Sequence, residues 1–391
     1  MTAAATPQAE LGMSELLEGR RVCICAGSGG VGKTSASAAI ALGMAARGAK
    51  VAVVTIDPAR RLANALGLQK LDNEPHRVAD ATLAAGGAQV SGELWAMMLD
   101  PKLTFDELME RLAPTPERAE EIKANRVYRE LSSAVSGSQE FTAIAKLYEL
   151  DQDRAFDLLV LDTPPTRNAL DFLEAPRRLN AFLEGPTVRA LTRPTGIGMR
   201  VLGRGATPVL GALRRVIGVD LLTDVGAFFG LLADMTGDFK VRAARVDKLL
   251  AAPTTAFVLV TSAEREPIDE AIWFHRRLAQ VDLPFAGVVV NRVHHDLLSG
   301  SEPHDVRRAL ARTLSGDLAA RVAQNFDDYH VLARRDERNI ARLAEALDGH
   351  QPLLVPQLDD DVHDLQGLLQ MRQYLFASGQ EREQLIANLV A

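Results

Sequence analysis

Cysteine is almost missing from this 391-residue chain, which carries only Cys23 and Cys25. Two residues apart in one apolar run, they place both side chains on one face of a strand, and the sequence offers no disulfide framework. No apolar stretch approaches the ~20 residues that a membrane-spanning helix requires, and no signal-peptide pattern opens the chain. The expectation is a cytoplasmic protein, at most peripheral to a membrane. A basic excess is lacking too: the formal net charge of −7 is spread over both halves. That argues against a general nucleic-acid-binding surface, so no nucleic acid is expected as partner.

What is present is a globular composition, 47% hydrophobic and 24% charged, and a run of α/β signals. Residues 1–18 are expected to form a flexible N-terminal tail, followed by one domain over 19–391. Val22 to Ala26 is an apolar strand, a Gly-rich turn follows, and an Ala-rich helix runs from about Lys33 to Arg47, stopped by Gly48. A second strand covers Val51 to Ile56. Strand, turn, helix, strand is the order of a right-handed βαβ crossover in a parallel sheet. Three more apolar strands are expected at Leu158 to Leu161, Phe257 to Thr261 and Gly287 to Val290, and ligands of open α/β sheets bind outside the carboxyl ends of such strands.

Helical insertions are expected at about 101–150 and 177–250. Between Gly185 and Val219 no acidic residue occurs, while Arg189, Arg193, Arg200, Arg204, Arg214 and Arg215 interrupt a Gly- and Leu/Val-rich background. Residues 185–235 thus suit anionic lipid or an apolar client helix, and equally a solvated helical subdomain.

Gly27 to Thr34 fits G-x-x-x-x-G-K-[ST] and lies between a strand and a helix, as that motif demands. The expected nucleotide ligands are Gly29, Gly30, Val31, Gly32, Lys33, Thr34 and Ser35. Backbone N–H groups would converge on phosphate oxygens, Lys33 would neutralise the β and γ phosphates, and the Thr34 hydroxyl would face Mg²⁺. Gly27, Gly29 and Gly32 also satisfy G-x-G-x-x-G, with Asp57 where a dinucleotide fold wants a ribose acid. Lys33-Thr34 decides for the P-loop. Asp162 ends the apolar run Leu158 to Leu161, the Walker-B arrangement, where a carboxylate holds a metal-bound water; Asp57 ends the second strand and can orient the attacking water.

Gly27 to Ser35, Thr55 to Arg60 and Asp162 to Thr166 resemble the ATPase motifs of the family that holds the arsenite-efflux ATPase and the ATPase targeting tail-anchored membrane proteins. The similarity extends through Leu99 to Pro101, Gly137 to Glu140, Asp171 to Leu173 and Asn291, most of the chain, and is strongest to actinobacterial members described as anion-transporting ATPases. The resemblance implies a P-loop α/β fold, ATP and Mg²⁺ as cofactors, and ATP hydrolysis coupled to opening and closing of a dimer. It implies Asp57 as the water-activating residue, Asp162 to Thr166 as a second switch, Asn291 as adenine contact, and Val355-Pro356 as the start of a loop closing over the base. Nucleotide state would then drive engagement of a client protein or membrane-associated partner.

Departures from the pattern carry their own expectations. The family's deviant loop has a lysine after its first glycine, reaching the partner's phosphates, where this chain has Ser28. Arg60, Arg61 or Arg167 are candidate substitutes by charge and position. A heterodimer with a lysine-bearing paralogue is the other solution, making this chain a catalytically weak nucleotide-binding regulatory subunit; a homodimer is equally open. Arg167-Asn168-Ala169 stands where many relatives have Gly-His-Thr. The zinc cysteines of the eukaryotic targeting ATPases are absent after Asn291, so no zinc is expected, and His294, His295 and His304 are taken as surface residues. Two cysteines in one strand cannot supply the several thiolates an arsenite site needs. A chromosome- or division-positioning ATPase ranks last, since that class keeps the lysine and lacks such insertions.

Overall fold

The computed structural model describes residues 11–57, 59–126, 128–129, 138–163, 236–296 and 303–390. Among them the chain divides into two compact units: Met1–Met98 with Asp153–Arg167 and Ala251–Ala391, and Leu99–Gln152 with Asn168–Leu250. The described parts of the stretches expected as insertions on a single domain, within 101–150 and at 236–250, fall in the second unit.

The first unit is built on an eight-stranded sheet, β1 (Val22–Ala26), β2 (Lys50–Thr55), β3 (His76–Arg77), β4 (Glu93–Met98), β5 (Leu158–Asp162), β6 (Thr255–Ser262), β7 (Phe285–Val293) and β8 (Leu353–Pro356), in the order β3-β4-β2-β5-β1-β6-β7-β8. Only β3 runs antiparallel to its neighbour. The central strands are apolar at nearly every position because a parallel sheet is covered on both faces, and all five residues of β1 are buried. The fold is α/β, as the alternation of apolar runs and helical segments indicates.

All five expected strands are present. β3 has too few residues for a pattern to show. In β4, Glu-Leu-Trp-Ala-Met-Met mixes a charge and an indole into a strand with half-exposed positions at Glu93 and Trp95. There Glu93 accepts from the Trp95 indole at 2.9 Å.

In the first unit, α1 (Met13–Leu16), α2 (Lys33–Ala46), α3 (Arg61–Ala65) and α4 (Asp80–Ala85) lie before residue 98. In the second unit follow α5 (Pro101–Leu112), α6 (Pro116–Ala124), α7 (Ser138–Gln152) and α8 (Thr236–Leu250). The first unit then resumes with α9 (Arg265–Gln280), α10 (Pro303–Thr313), α11 (Gly316–Ala346), α12 (Leu365–Phe376) and α13 (Gly379–Val390). None of the described helices is long and apolar enough to cross a membrane.

Residues 11–18 differ from the expected flexible tail. Met13 and Leu17 are fully buried in the main core, and Glu15 folds back to accept the Gly12 N–H at 2.9 Å. The apolar pair at i and i+4 lies on one face of a helical turn, a signal too short to stand out in a sequence. Residues 1–10 lie outside the described set.

In the second unit, α5 and α6 each begin with a proline behind a capping side chain: Asp100 accepts from Leu103 N–H at 2.9 Å and Thr115 from Arg118 N–H at 3.3 Å. Pro at the first helical turn costs nothing because its missing N–H has no intrahelical partner there. Glu149 of α7 faces Arg111 at 2.8 Å and also pairs with Arg242 of α8. The basic stretch 185–235 lies outside the described residues, as do 164–184 and Gly137.

Leu17→Ala is expected to lower unfolding free energy by about 2–5 kcal/mol in urea titration, the range for truncating a buried leucine. A value near zero would return residues 11–18 to the status of a tail.

Candidate functional site

The site lies where β1, β2, β5, β6 and β7 end on one side of the sheet. At the close of β1 the chain turns at Gly27, where a Cβ would sit 1.9 Å from the Val260 carbonyl oxygen of β6; only glycine permits that approach. The loop then wraps into α2 through Gly32, whose φ of 92° is left-handed and whose missing Cβ leaves room for the Asn291 amide, 2.3 Å from where that atom would be. Asn291, buried at the end of β7, donates from Nδ2 to the Val31 carbonyl at 3.0 Å. The asparagine therefore holds the loop's shape, a contact that neither residue's neighbours in sequence reveal.

Lys33 opens α2 and is 6% exposed. Its ammonium donates to the Ser28 carbonyl of its own loop at 2.6 Å. Burial pulls its pKa down, opposed by Asp162, Asp57 and Glu270. Thr34 donates to Asp162 Oδ2 at 2.7 Å, and Thr55, from the end of β2, donates to the same oxygen at 2.8 Å. Asp162 is 1% exposed, and its Oδ1 has no hydrogen-bond partner among the described residues. Burial raises the carboxyl to about 6, although both hydroxyls and Lys33 pull the other way; the nearby Asp57 charge adds to the rise.

An orphaned carboxylate oxygen beside a threonine hydroxyl is the donor set a hydrated divalent ion with hard oxygen ligands takes, and Mg²⁺ fits it.

Asp57 begins the turn after β2. Its Oδ1 accepts the Ala59 N–H at 2.9 Å and its Oδ2 lies 3.8 Å from the Arg61 guanidinium. The carboxylate therefore caps its own turn while facing the pocket. Of the candidate substitute cations, Arg61 is paired with Asp57, Arg60 has a left-handed φ of 55° and is exposed, and Arg167 is not among the described residues.

Gly32, Lys33, Thr34, Asp57, Arg61 and Asn291 line a pocket of about 600 Å³, together with Gly29, Gly30, Ser35, Thr163, Arg292, Pro356 and residues of the loop from Gln357 to His363; Asp162 lies buried beneath Thr34. That size lies within the range of small-molecule sites. Pro356 closes β8, and its successor Gln357 donates N–H to the Val293 carbonyl at 2.9 Å. The loop is tied across the pocket by Ser35 Oγ to the Val362 carbonyl at 3.3 Å. Val31 is buried behind the loop and contributes its backbone rather than a pocket surface.

Several contacts have no signal in the sequence. Thr55 heads the matched Thr55 to Arg60 stretch, but nothing in that stretch announces its bond to Asp162. Glu270, on α9, accepts a hydrogen bond from the Ser28 hydroxyl, a pairing across 242 positions that no pattern announces. Thr163 donates Oγ1 to the Cys25 carbonyl at 2.8 Å and so fixes the start of the segment after β5; residues 164–166 of the expected second switch lie outside the described set. Cys23 and Cys25 do share a buried face, with sulfurs 4.0 Å apart.

The histidines after β7 need correction. His294 donates its backbone N–H to the fully buried Asp336 of α11 at 3.0 Å and places Nδ1 at 2.8 Å from the same carboxylate. His295 has its Nε2 buried, and burial lowers its pKa. Only His304 is exposed as expected. α11 meets the end of β7 and brings Asp336 against His294, whose ring lies edge-on to Tyr329 of the same helix. Among the described residues, no group of three or more His, Cys, Asp or Glu side chains is placed to hold a metal.

Compared with known proteins, the family model described as anion-transporting ATPase matches residues 20–335. The chain is 24% identical over 330 residues to "ATPase get3" of Schizosaccharomyces japonicus, covering 84% of this chain and 90% of that one. It is 23% identical over 388 residues to "ATPase BagA" of Mycobacterium tuberculosis, covering 94% and 96%. To "ATPase ARSA2" of Chlamydomonas reinhardtii it is 26% identical over 318 residues, covering 78% and 76%.

The raised Asp162 pKa has a sign that can be checked. A carboxyl whose pKa is higher folded than unfolded contributes stability at low pH that is lost as pH rises from near 4 through about 6. Asp162→Asn does not titrate. Without Mg²⁺, its stability relative to the unsubstituted protein should therefore improve by about 1 kcal/mol between pH 5 and pH 7.5 in denaturant titrations. A constant difference would mean that the buried carboxylate keeps an ordinary pKa.

Proposed function

This chain belongs to the anion-transporting ATPase family and is on that ground an ATP-hydrolysing enzyme, and we propose that it binds Mg-ATP in the pocket between the Gly27 to Ser35 loop and the 357–363 loop, using hydrolysis to drive a dimer rearrangement that engages a client protein or membrane-associated partner. The observation that carries the nucleotide site is the sharing of Asp162 Oδ2 by the Thr34 and Thr55 hydroxyls beside an orphaned Oδ1.

In this reading the backbone N–H groups from Gly29 to Ser35 and the α2 N-terminus bind the phosphates. The Lys33 ammonium leaves the Ser28 carbonyl for phosphate oxygens, a stronger charge-assisted acceptor. Thr34 and Asp162 would hold Mg²⁺, Asp162 through water, and the ion would supply charge neutralisation on the phosphates. Asp57 orients the attacking water, its geometry kept by the Ala59 N–H, while Thr163, just after β5, lines the pocket. Asn291 and Pro356 bound the end where the base would lie. Because phosphoryl transfer needs little covalent help from protein, such positioning accounts for most of the catalysis.

Support for the client reading is the basic, apolar composition of 185–235 together with family membership. Nucleotide can control such binding only if the two states differ in affinity for the partner.

Steady-state hydrolysis by the purified chain with Mg²⁺ tests the enzyme. Turnover is expected, with Asp57→Asn losing on the order of 100-fold while still binding ATP, and Lys33→Ala losing both binding and turnover. ATP binding without any turnover in the unsubstituted chain would instead favour a regulatory subunit that needs a lysine-bearing paralogue.

A further inference from the structure

The chain has no cation at position 28; of the arginines singled out from the sequence, Arg61 faces Asp57, Arg60 does not line the pocket, and Arg167 lies outside the described residues. Arg292 is a different case. It follows Asn291 at the point where the pairing of β7 with β8 loses register, between Val290 and Val293. Its φ of 59° is left-handed, an uncommon state for a residue with a side chain and one found at ligand sites. The irregularity leaves Asn291 and Val293 buried and turns Arg292 outward onto the pocket lip.

Its base is rigid. The carboxylate of Asp336, itself fully buried, accepts the backbone N–H of His294 two residues on at 3.0 Å, and Gln357 binds the Val293 carbonyl at 2.9 Å. The tip is held loosely. The guanidinium reaches the Gly30 carbonyl and Asp361 Oδ1 at 3.4 Å each, the outer edge of hydrogen bonding, with the arginine side chain 48% and the aspartate 82% exposed. A firmly placed backbone and a weakly engaged cation suit a group that exchanges a poor acceptor for a better one.

Charge balance gives the direction of that exchange. The cations lining the pocket, among the described residues, are Lys33, Arg61 and Arg292. Arg61 already faces Asp57 at 3.8 Å. Asp360 and Asp361 on the opposite lip would repel a polyphosphate unless a cation lay between, and guanidinium binds phosphate oxygens better than a neutral carbonyl.

We propose that Arg292 is a polyphosphate-binding residue of this site, moving its guanidinium from the Gly30 carbonyl and Asp361 onto the β- or γ-phosphate oxygens of bound ATP and so supplying from the same chain a positive charge that Ser28 does not. This rests on the nucleotide reading of the pocket.

Calorimetric titration of the full-length chain with ATP, ADP and AMP in Mg²⁺ tests it. Arg292→Ala should weaken ATP binding about tenfold or more, as expected for losing a charge-assisted contact, leave AMP binding unchanged, and be partly rescued by Arg292→Lys. Asp361→Asn should leave ATP binding equal or tighter, because it releases the arginine. Equal losses for AMP and ATP, an unchanged ATP affinity in Arg292→Ala, or a loss in Asp361→Asn as large as that in Arg292→Ala would each overturn the assignment. Failure of the unsubstituted chain to bind ATP would overturn the nucleotide reading itself.

Discussion

One carboxylate oxygen organises the phosphate side of this protein. Asp162 Oδ2 takes hydroxyl hydrogens from Thr34 and Thr55 at once, joining the first turn of α2 to the ends of β2 and β5. Burial of a charged group is opposed by several kcal/mol, and two neutral hydroxyl donors offset only part of that, which is why the carboxyl is lifted to about 6 even with Lys33 near. The arrangement is a strained electrostatic state within a rigid sheet end. A hydrated divalent cation near Oδ1 would relieve it, so the feature that costs stability suits the metal proposed for this site.

The cradle around that oxygen has two lips of different origin. The lower one is local: Gly27 to Ser35 curls because glycines occupy the two positions where Val260 and Asn291 come too close for a Cβ. The upper one is assembled from distant parts of the chain, with Asn291 on β7, Pro356 at the end of β8 and the loop after it, held by contacts that span 260 and 327 positions. Asp336 on α11 sits behind this lip and has no access to the pocket, yet by fixing His294 it decides where the end of β7 points. The position of Arg292 on the pocket lip thus depends in part on a buried carboxylate that does not line the pocket.

The α/β class, the five long strands and the phosphate loop were all legible because each is encoded within a short window: continuous apolar runs for strands buried on both faces, and a loop motif whose glycines and lysine are contiguous. β3 and β4 were not, since two residues carry no periodicity and Glu93 and Trp95 break the apolar run of a strand whose faces differ in exposure. The short helix at Met13 was lost for a similar reason: its signal is one apolar pair whose burial depends on α12 and α2 arriving from elsewhere. His294 and His295 look solvated by composition, and only the fold shows that both are half-buried, with His294 held by Asp336 of α11.

Sequence alone set out the candidate phosphate-site residues, because the spacing from Gly27 to Thr34 and the strand-end positions of Asp57 and Asp162 are local properties of the chain. Tertiary structure alone decided what those residues touch now: Lys33 turned onto Ser28, Ser28 bound to Glu270, Thr55 added to Asp162, and Arg292 aimed at the loop. The division follows from range. Backbone conformation and hydrophobic periodicity act over a few residues and leave a record in order, whereas hydrogen bonds and charge pairs act through space, between side chains whose separation along the chain says nothing about their distance in the fold.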